Sequence, residues 1–154
     1  AGLLAAAVAA ALVLAGCGDD GSSELGGSAS TSYDLDYDTV HVTKLIKNGT
    51  FEAMIVEYID ELKHGSEVPV KVVANAPIEQ GVEKDLVANN AGALIRVMQD
   101  GSQFDDMKSG TILFTKLGAE EGSTTAGEFY ITFDNANGTT LNGKFSAPLI
   151  VLDE

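Results

Sequence analysis

From Phe129 to Leu149 the chain alternates residue by residue, with one interruption at Asp134-Asn135-Ala136-Asn137-Gly138. Phe129, Ile131 and Phe133 fall on one side of the pattern and Tyr130 and Thr132 on the other; Thr139, Leu141, Gly143, Phe145, Ala147 and Leu149 take it up again after the break. Successive strand residues point to opposite faces of a sheet, whereas a helix would scatter this set around its axis, so the stretch is expected to be a hairpin. The same grammar recurs upstream. Thr111-Ile112-Leu113-Phe114-Thr115-Lys116-Leu117 and Ala93-Leu94-Ile95-Arg96-Val97-Met98 are β-rich runs bounded by Gly92, Gly101, Gly110 and Gly118. Val68, Val70, Val72 and Ala74 form another, in which Pro69 points to an edge or a strand start.

The segment from Tyr37 to Ile59 reads two ways. Asn48-Gly49 between Val40-His41-Val42-Thr43-Lys44-Leu45-Ile46 and Thr50-Phe51-Glu52-Ala53-Met54-Ile55-Val56 is the dipeptide of a type I′ hairpin, in which both turn residues need positive φ. Phe51, Met54, Ile55, Tyr58, Ile59 and Leu62 also recur at helical spacing, with Thr50 placed as N-cap and Gly65 as a C-terminal stop. The β-branched and aromatic content of Ile55, Val56, Tyr58 and Ile59 favours strand. The glycine standing two residues before Phe51, Phe129 and Phe145 supports it, since each suits a bend where a strand enters a sheet. The expected fold is all-β, an antiparallel β-sandwich or open barrel of about seven short strands; an α+β variant with one helix near 51–64 is the alternative.

At the N-terminus, Leu3 to Ala15 reads LLAAAVAAALVLA and ends at Gly16 and Cys17, the only cysteine of the 154 residues. A bilayer span needs about 20 apolar residues, so this shorter run has the length of a secretory hydrophobic region. No methionine or basic segment precedes it, so it is expected to be the inner part of a signal peptide, residues 1–16. Leu14-Ala15-Gly16-Cys17 resembles the lipobox of bacterial lipoproteins. The resemblance implies cleavage between Gly16 and Cys17 and acyl chains on the Cys17 thiol that hold the protein to a membrane. It also implies outer-membrane placement in the cell envelope, because Gly18 stands where inner-membrane retention uses aspartate. Gly18 to Ser32, GDDGSSELGGSASTS, reads as a flexible linker with a span on the order of 20 Å, leaving 33–154 as the β domain. The stretch from Gly110 to Ile150, with G-T-I-L-F-T-K-L-G, G-E-F-Y-I-T-F and N-G-T-T-L-N-G-K-F-S-A-P, resembles the C-terminal pattern of uncharacterised bacterial lipoprotein domains of β-sandwich type. That likeness implies a fold and a location, with no activity attached.

Charge narrows the partners. The net charge is −14, and since Asp19, Asp20 and Glu24 account for the acids ahead of Tyr33, the rest of the chain carries −11. Its nine Lys and Arg are scattered, so a nucleic-acid partner is not expected. His41 lies in a strand-like run and His64 beside Gly65 in a charged loop, without metal-ligand spacing. Ser146 lacks a nucleophile elbow, and the glycines make no nucleotide-binding pattern, so no cofactor is expected apart from calcium. Alternate acids at Asp34, Asp36 and Asp38 could converge as oxygen ligands for Ca²⁺, or else form a solvated acidic edge. Asp134, Asn135 and Asn137 are a second candidate, already explained by a turn. Glu120-Glu121 and Asp105-Asp106 could serve a carboxylate-based hydrolase, although adjacent loop acids are usually solvated. The expectation is a membrane-anchored envelope lipoprotein whose β domain is a non-enzymatic binding or structural module for an envelope protein or glycan. A calcium-dependent adhesin or glycan binder and a hydrolase are the alternatives.

Overall fold

A computed structural model describes residues 22–63 and 66–154. The alternating stretch forms β8 (Thr124–Phe133) and β9 (Thr140–Asp153), paired antiparallel from Thr124 opposite Pro148 to Thr132 opposite Thr140. Of the inward positions expected from the period, Phe129, Ile131 and Phe133 on β8 and Leu141, Gly143, Phe145, Ala147 and Leu149 on β9 are buried, while Thr139 is half-buried and precedes β9. Upstream, β2 (Thr39–Lys47) and β3 (Thr50–Asp60) are joined by Asn48-Gly49, whose φ values of 50° and 73° are those a type I′ turn requires. Residues 50–60 are therefore strand and not helix. Val56 and Tyr58 are fully buried and Met54 nearly so, at a spacing of two that the helical reading of the same apolar residues obscured.

The remaining strands are β1 (Glu24–Gly26), β4 (Glu67–Asn75), β5 (Lys84–Asp85), β6 (Gly92–Val97) and β7 (Met107–Lys116). They line up as β5-β7-β8-β9-β2-β3-β4-β6, with β1 added on β9, and form a nearly closed, barrel-like sheet. Short 3-10 turns at Ser28–Thr31 and Ala88–Asn90 are the helical pieces among the described residues. Pro69 sits in β4 where the ladder to β6 slips between Val68 and Lys71, so a ring without an N–H occupies an irregular position.

Three features depart from the sequence reading. The described strands number nine, and several are long, β9 reaching 14 residues and β3 11. The sheet is mixed, because the second half of β9 pairs parallel with β2, from Val42 opposite Leu149 to Ile46 opposite Asp153. A strand that outruns its hairpin partner leaves an unpaired edge, and β2 supplies the missing ladder. The linker expected over 17–32 ends earlier. Glu24, Leu25 and Gly26 pair with Lys144, Gly143 and Asn142 of β9, and Ala29 is fully buried in the core. Leu25 and Ala29 are the apolar residues of that serine- and glycine-rich stretch, and β9 has an open edge ahead of the point where β2 joins it.

The core is continuous, built from Val42, Val56, Tyr58, Val70, Val72, Phe114, Phe129, Ile131, Phe133, Leu141, Phe145 and Leu149. Two reciprocal pairs lie at its centre: Phe129 stands opposite Gly143, and Gly127 opposite Phe145. Each ring covers the space that its partner glycine leaves open. A Cβ at Gly143 would lie 2.5 Å from Phe129, and one at Gly127 would lie 2.7 Å from Phe145 and 2.2 Å from the Leu113 carbonyl oxygen. The Tyr58 hydroxyl reaches across this layer to donate to the Lys144 carbonyl, and burial pushes its phenol pKa up. Leu86, fully buried, packs between Gly92 of β6 and Gly110 of β7, across the seam where the barrel fails to close.

Candidate functional site

The acidic run lies in irregular chain between the first 3-10 turn and β2, so its members do not share a strand face. Asp34 Oδ1 accepts from the Asp36 amide at 3.0 Å, and its Oδ2 meets Lys63 Nζ at 2.7 Å. Asp38 accepts from the amides of Glu61 and Leu62, which holds the chain leaving β3. The carboxylates of Asp34 and Asp38 are thus turned to different partners, and among the described residues no three such groups stand at metal-holding distance.

A cation does occupy the acidic end of the barrel, but it belongs to the protein. Lys63 Nζ lies 2.7 Å from Asp34, 3.2 Å from Asp60 and 3.6 Å from Glu67. The hydrogen bonds to Asp34 and Asp60 raise the Lys63 pKa, and the bond from Lys63 lowers that of Asp34. Asp34 therefore stabilises the fold above the ordinary aspartate range, and this contribution fades as pH falls through its depressed pKa. Beside the cluster, Arg96 is almost fully buried between the rings of Tyr33 and Phe104, 5.5 and 5.4 Å from their centroids. Its Nη1 donates to the carbonyls of Asp34 and Pro69 and its Nε to Ser102. With these bonds made, the guanidinium ties the Tyr33 segment to β4 and to the loop after β6, which is a structural task.

The other expected residues are dispersed. His41 stands opposite Glu57 on the β2–β3 ladder. Asn135 bonds Thr139 and Asp105, so the Asp134–Gly138 segment is a fastened turn. Glu121 accepts from the Val151 amide, while the Glu120 backbone closes a turn with Ser123. The Ser146 amide donates to Ser23 Oγ. Gly16, Cys17 and His64 lie outside the described residues.

A site that the sequence reading passed over sits on the outer face of β7, β8 and β9. Thr111, Tyr130 and Asn142 form one row across the three strands, and Leu113, Glu128 and Lys144 form the next, with Glu24 of β1 beside Lys144. Together with Glu83 from the loop before β5 they line a shallow cleft of about 200 Å³ whose floor is Phe129 and Gly143. Tyr130 is 56% exposed, an aromatic ring left in solvent on a face that it shares with Leu113 and a ring of polar side chains. Among the described residues, the side chains of Glu83, Thr111, Glu128, Tyr130, Asn142 and Lys144 make no hydrogen bond or ion pair, so their bonding capacity is open to a ligand. The available signal was Tyr130 itself, an aromatic on the outward phase of a clean alternation.

Comparison of the chain with protein-family models, with curated proteins and with solved structures yields no match.

Proposed function

We propose that this protein is a lipid-anchored envelope lipoprotein whose barrel-like domain is a non-enzymatic binding module. The observation that carries the reading is the junction between the two parts. Only Gly18 to Ser22 separate Cys17, at the end of the apolar run and its Leu14-Ala15-Gly16-Cys17 motif, from Ser23. Ser23 already belongs to the domain, its carbonyl accepting from the Tyr37 hydroxyl and its Oγ from the Ser146 amide. A tether followed at once by a packed β domain is the layout of a surface-held module. Two or three acyl chains on Cys17 make a stable anchor where one chain holds only marginally. Gly18 after the cysteine favours the outer membrane.

The binding role is supported by the Tyr130 cleft, which offers a ring and unspent polar groups. Among the described residues, those that line it include the carboxylates of Glu83 and Glu128 but no serine, cysteine or histidine to act as nucleophile or imidazole base. The test is the intact mass of the chain extracted from envelope membranes. The expected species begins at Cys17 and carries a thioether-linked diacylglyceryl group, and Cys17→Ser leaves the chain unacylated with Leu3–Ala15 attached. A wild-type chain recovered with a free thiol and that run still present overturns the anchoring.

A further inference from the structure

We propose that the cleft around Tyr130 is a saccharide subsite, selective for neutral or amino-substituted sugars over acidic ones. A pyranose ring has an apolar C–H face and a rim of hydroxyls, and the cleft presents the complement of both. The ring of Tyr130, 56% exposed, carries the negative side of its quadrupole on its faces, which attract polarised C–H groups as they would a cation. Around it, Glu128 and Glu83 accept, Lys144 donates, and Thr111 and Asn142 do both. Such convergence of donors and acceptors on one aromatic platform suits a polyol. A purely apolar ligand would leave the two carboxylates and the ammonium desolvated without partners.

Charge sets the preference among sugars. Two carboxylates against one ammonium leave the cleft with a net negative charge, inside a chain of net charge −14, so uronic acids and phosphates are repelled while an amino group is welcome. The same charge argues against a nucleic-acid base stacked on Tyr130. A peptide adding as a strand is also disfavoured, because the cleft lies on the face of a sheet whose strands β7, β8 and β9 are already paired.

The inference rests on the reading of the domain as a binding module, but it is scored apart from it: acylation of Cys17 is read by mass, sugar binding by titration. The full chain in detergent is titrated with oligomers of N-acetylglucosamine, glucosamine, glucose and galacturonic acid, followed by backbone amide NMR. Saturable shifts confined to the Thr111–Leu113, Glu128–Tyr130 and Asn142–Lys144 rows are expected with the neutral or amino oligomers, and weaker ones with galacturonate. Tyr130→Ala should weaken binding by roughly tenfold, the loss of one stacking contact, while Tyr130→Phe stays within about threefold. Since Tyr130 is exposed, both variants should keep the wild-type melting temperature, so that loss of binding is not loss of fold. No saturable binding of any neutral or amino oligomer, binding unaffected by Tyr130→Ala, or tightest binding to galacturonate overturns the proposal.

Discussion

Gly127 and Gly143 show how much of this core depends on atoms that are not there. Both precede a phenylalanine by two residues, and each lies opposite the other's phenylalanine across β8 and β9, so four residues make two interlocked pairs. Gly49 shares the sequence pattern but has another task, the positive φ of a turn. Gly127→Ala should lower stability by about 1–3 kcal/mol in urea unfolding, the usual cost of overpacking. Because the added methyl also meets the Leu113 carbonyl oxygen, shortening Phe145 to leucine in the same chain should recover little; full recovery would place the whole conflict in the ring. The glycines and phenylalanines were legible as a repeated motif, while their pairing was not, since it depends on the register of two strands. The charged cluster was less legible still. Lys63, Asp34, Asp60, Glu67 and Arg96 carry nothing in their types that says they meet, and Asp34, read with Asp36 and Asp38 as a calcium candidate, is an ion-pair partner of Lys63.

At the scale of elements, the two weakest pieces of sequence pattern, β1 and the β5–β6 connection, are both drawn onto the sheet. Leu25 pairs within β1 opposite Gly143, in a stretch whose serines and glycines otherwise describe a coil. Leu86 lies in the run between β5 and the second 3-10 turn, yet its side chain is fully buried against Gly92 and Gly110. Its amide donates to the Gly110 carbonyl at 2.9 Å, continuing the short β5–β7 ladder. Leu86→Ala should therefore cost about 2–5 kcal/mol, the range for emptying a buried leucine site. It should also speed amide hydrogen exchange in β6, the strand on the far side of the seam, before it does so in β8. Uniform acceleration across the sheet would show that Leu86 is an ordinary core residue with no special hold on the closure.

For the whole molecule, the antiparallel ladder between β1 and β9 holds the N-terminal end of the domain on its last strand and would set the geometry of the proposed tether. Ser23 is held beside Ser146, so under the proposed anchoring only the chain from Cys17 to Ser23 would span the distance to an acylated cysteine. Six residue steps reach at most about 20 Å when fully extended, far less than a linker ending at Ser32 would allow. On a supported bilayer, neutron reflectometry of the acylated protein should place the near side of the domain within about 20 Å of the headgroups. A Gly/Ser insertion between Gly21 and Ser22 should move it outward. A wild-type domain standing clear of the bilayer by more than that reach would mean that β1 does not stay docked on β9.

The residue order alone determined that the chain is β-rich, where the β8–β9 and β2–β3 hairpins turn, and which face of β8 and β9 is buried. These are local properties, set by a side-chain period of two and by turn residues that tolerate positive φ. Tertiary structure alone decided that β9 would pair parallel with β2, that Glu24–Gly26 would leave the linker for the sheet, and that Lys63 would sit among three carboxylates. It also decided that Tyr130, Glu128, Asn142 and Lys144 would share one cleft. Each of these joins residues whose neighbours in sequence say nothing about their neighbours in space, and their energies exist only once the chain has closed on itself.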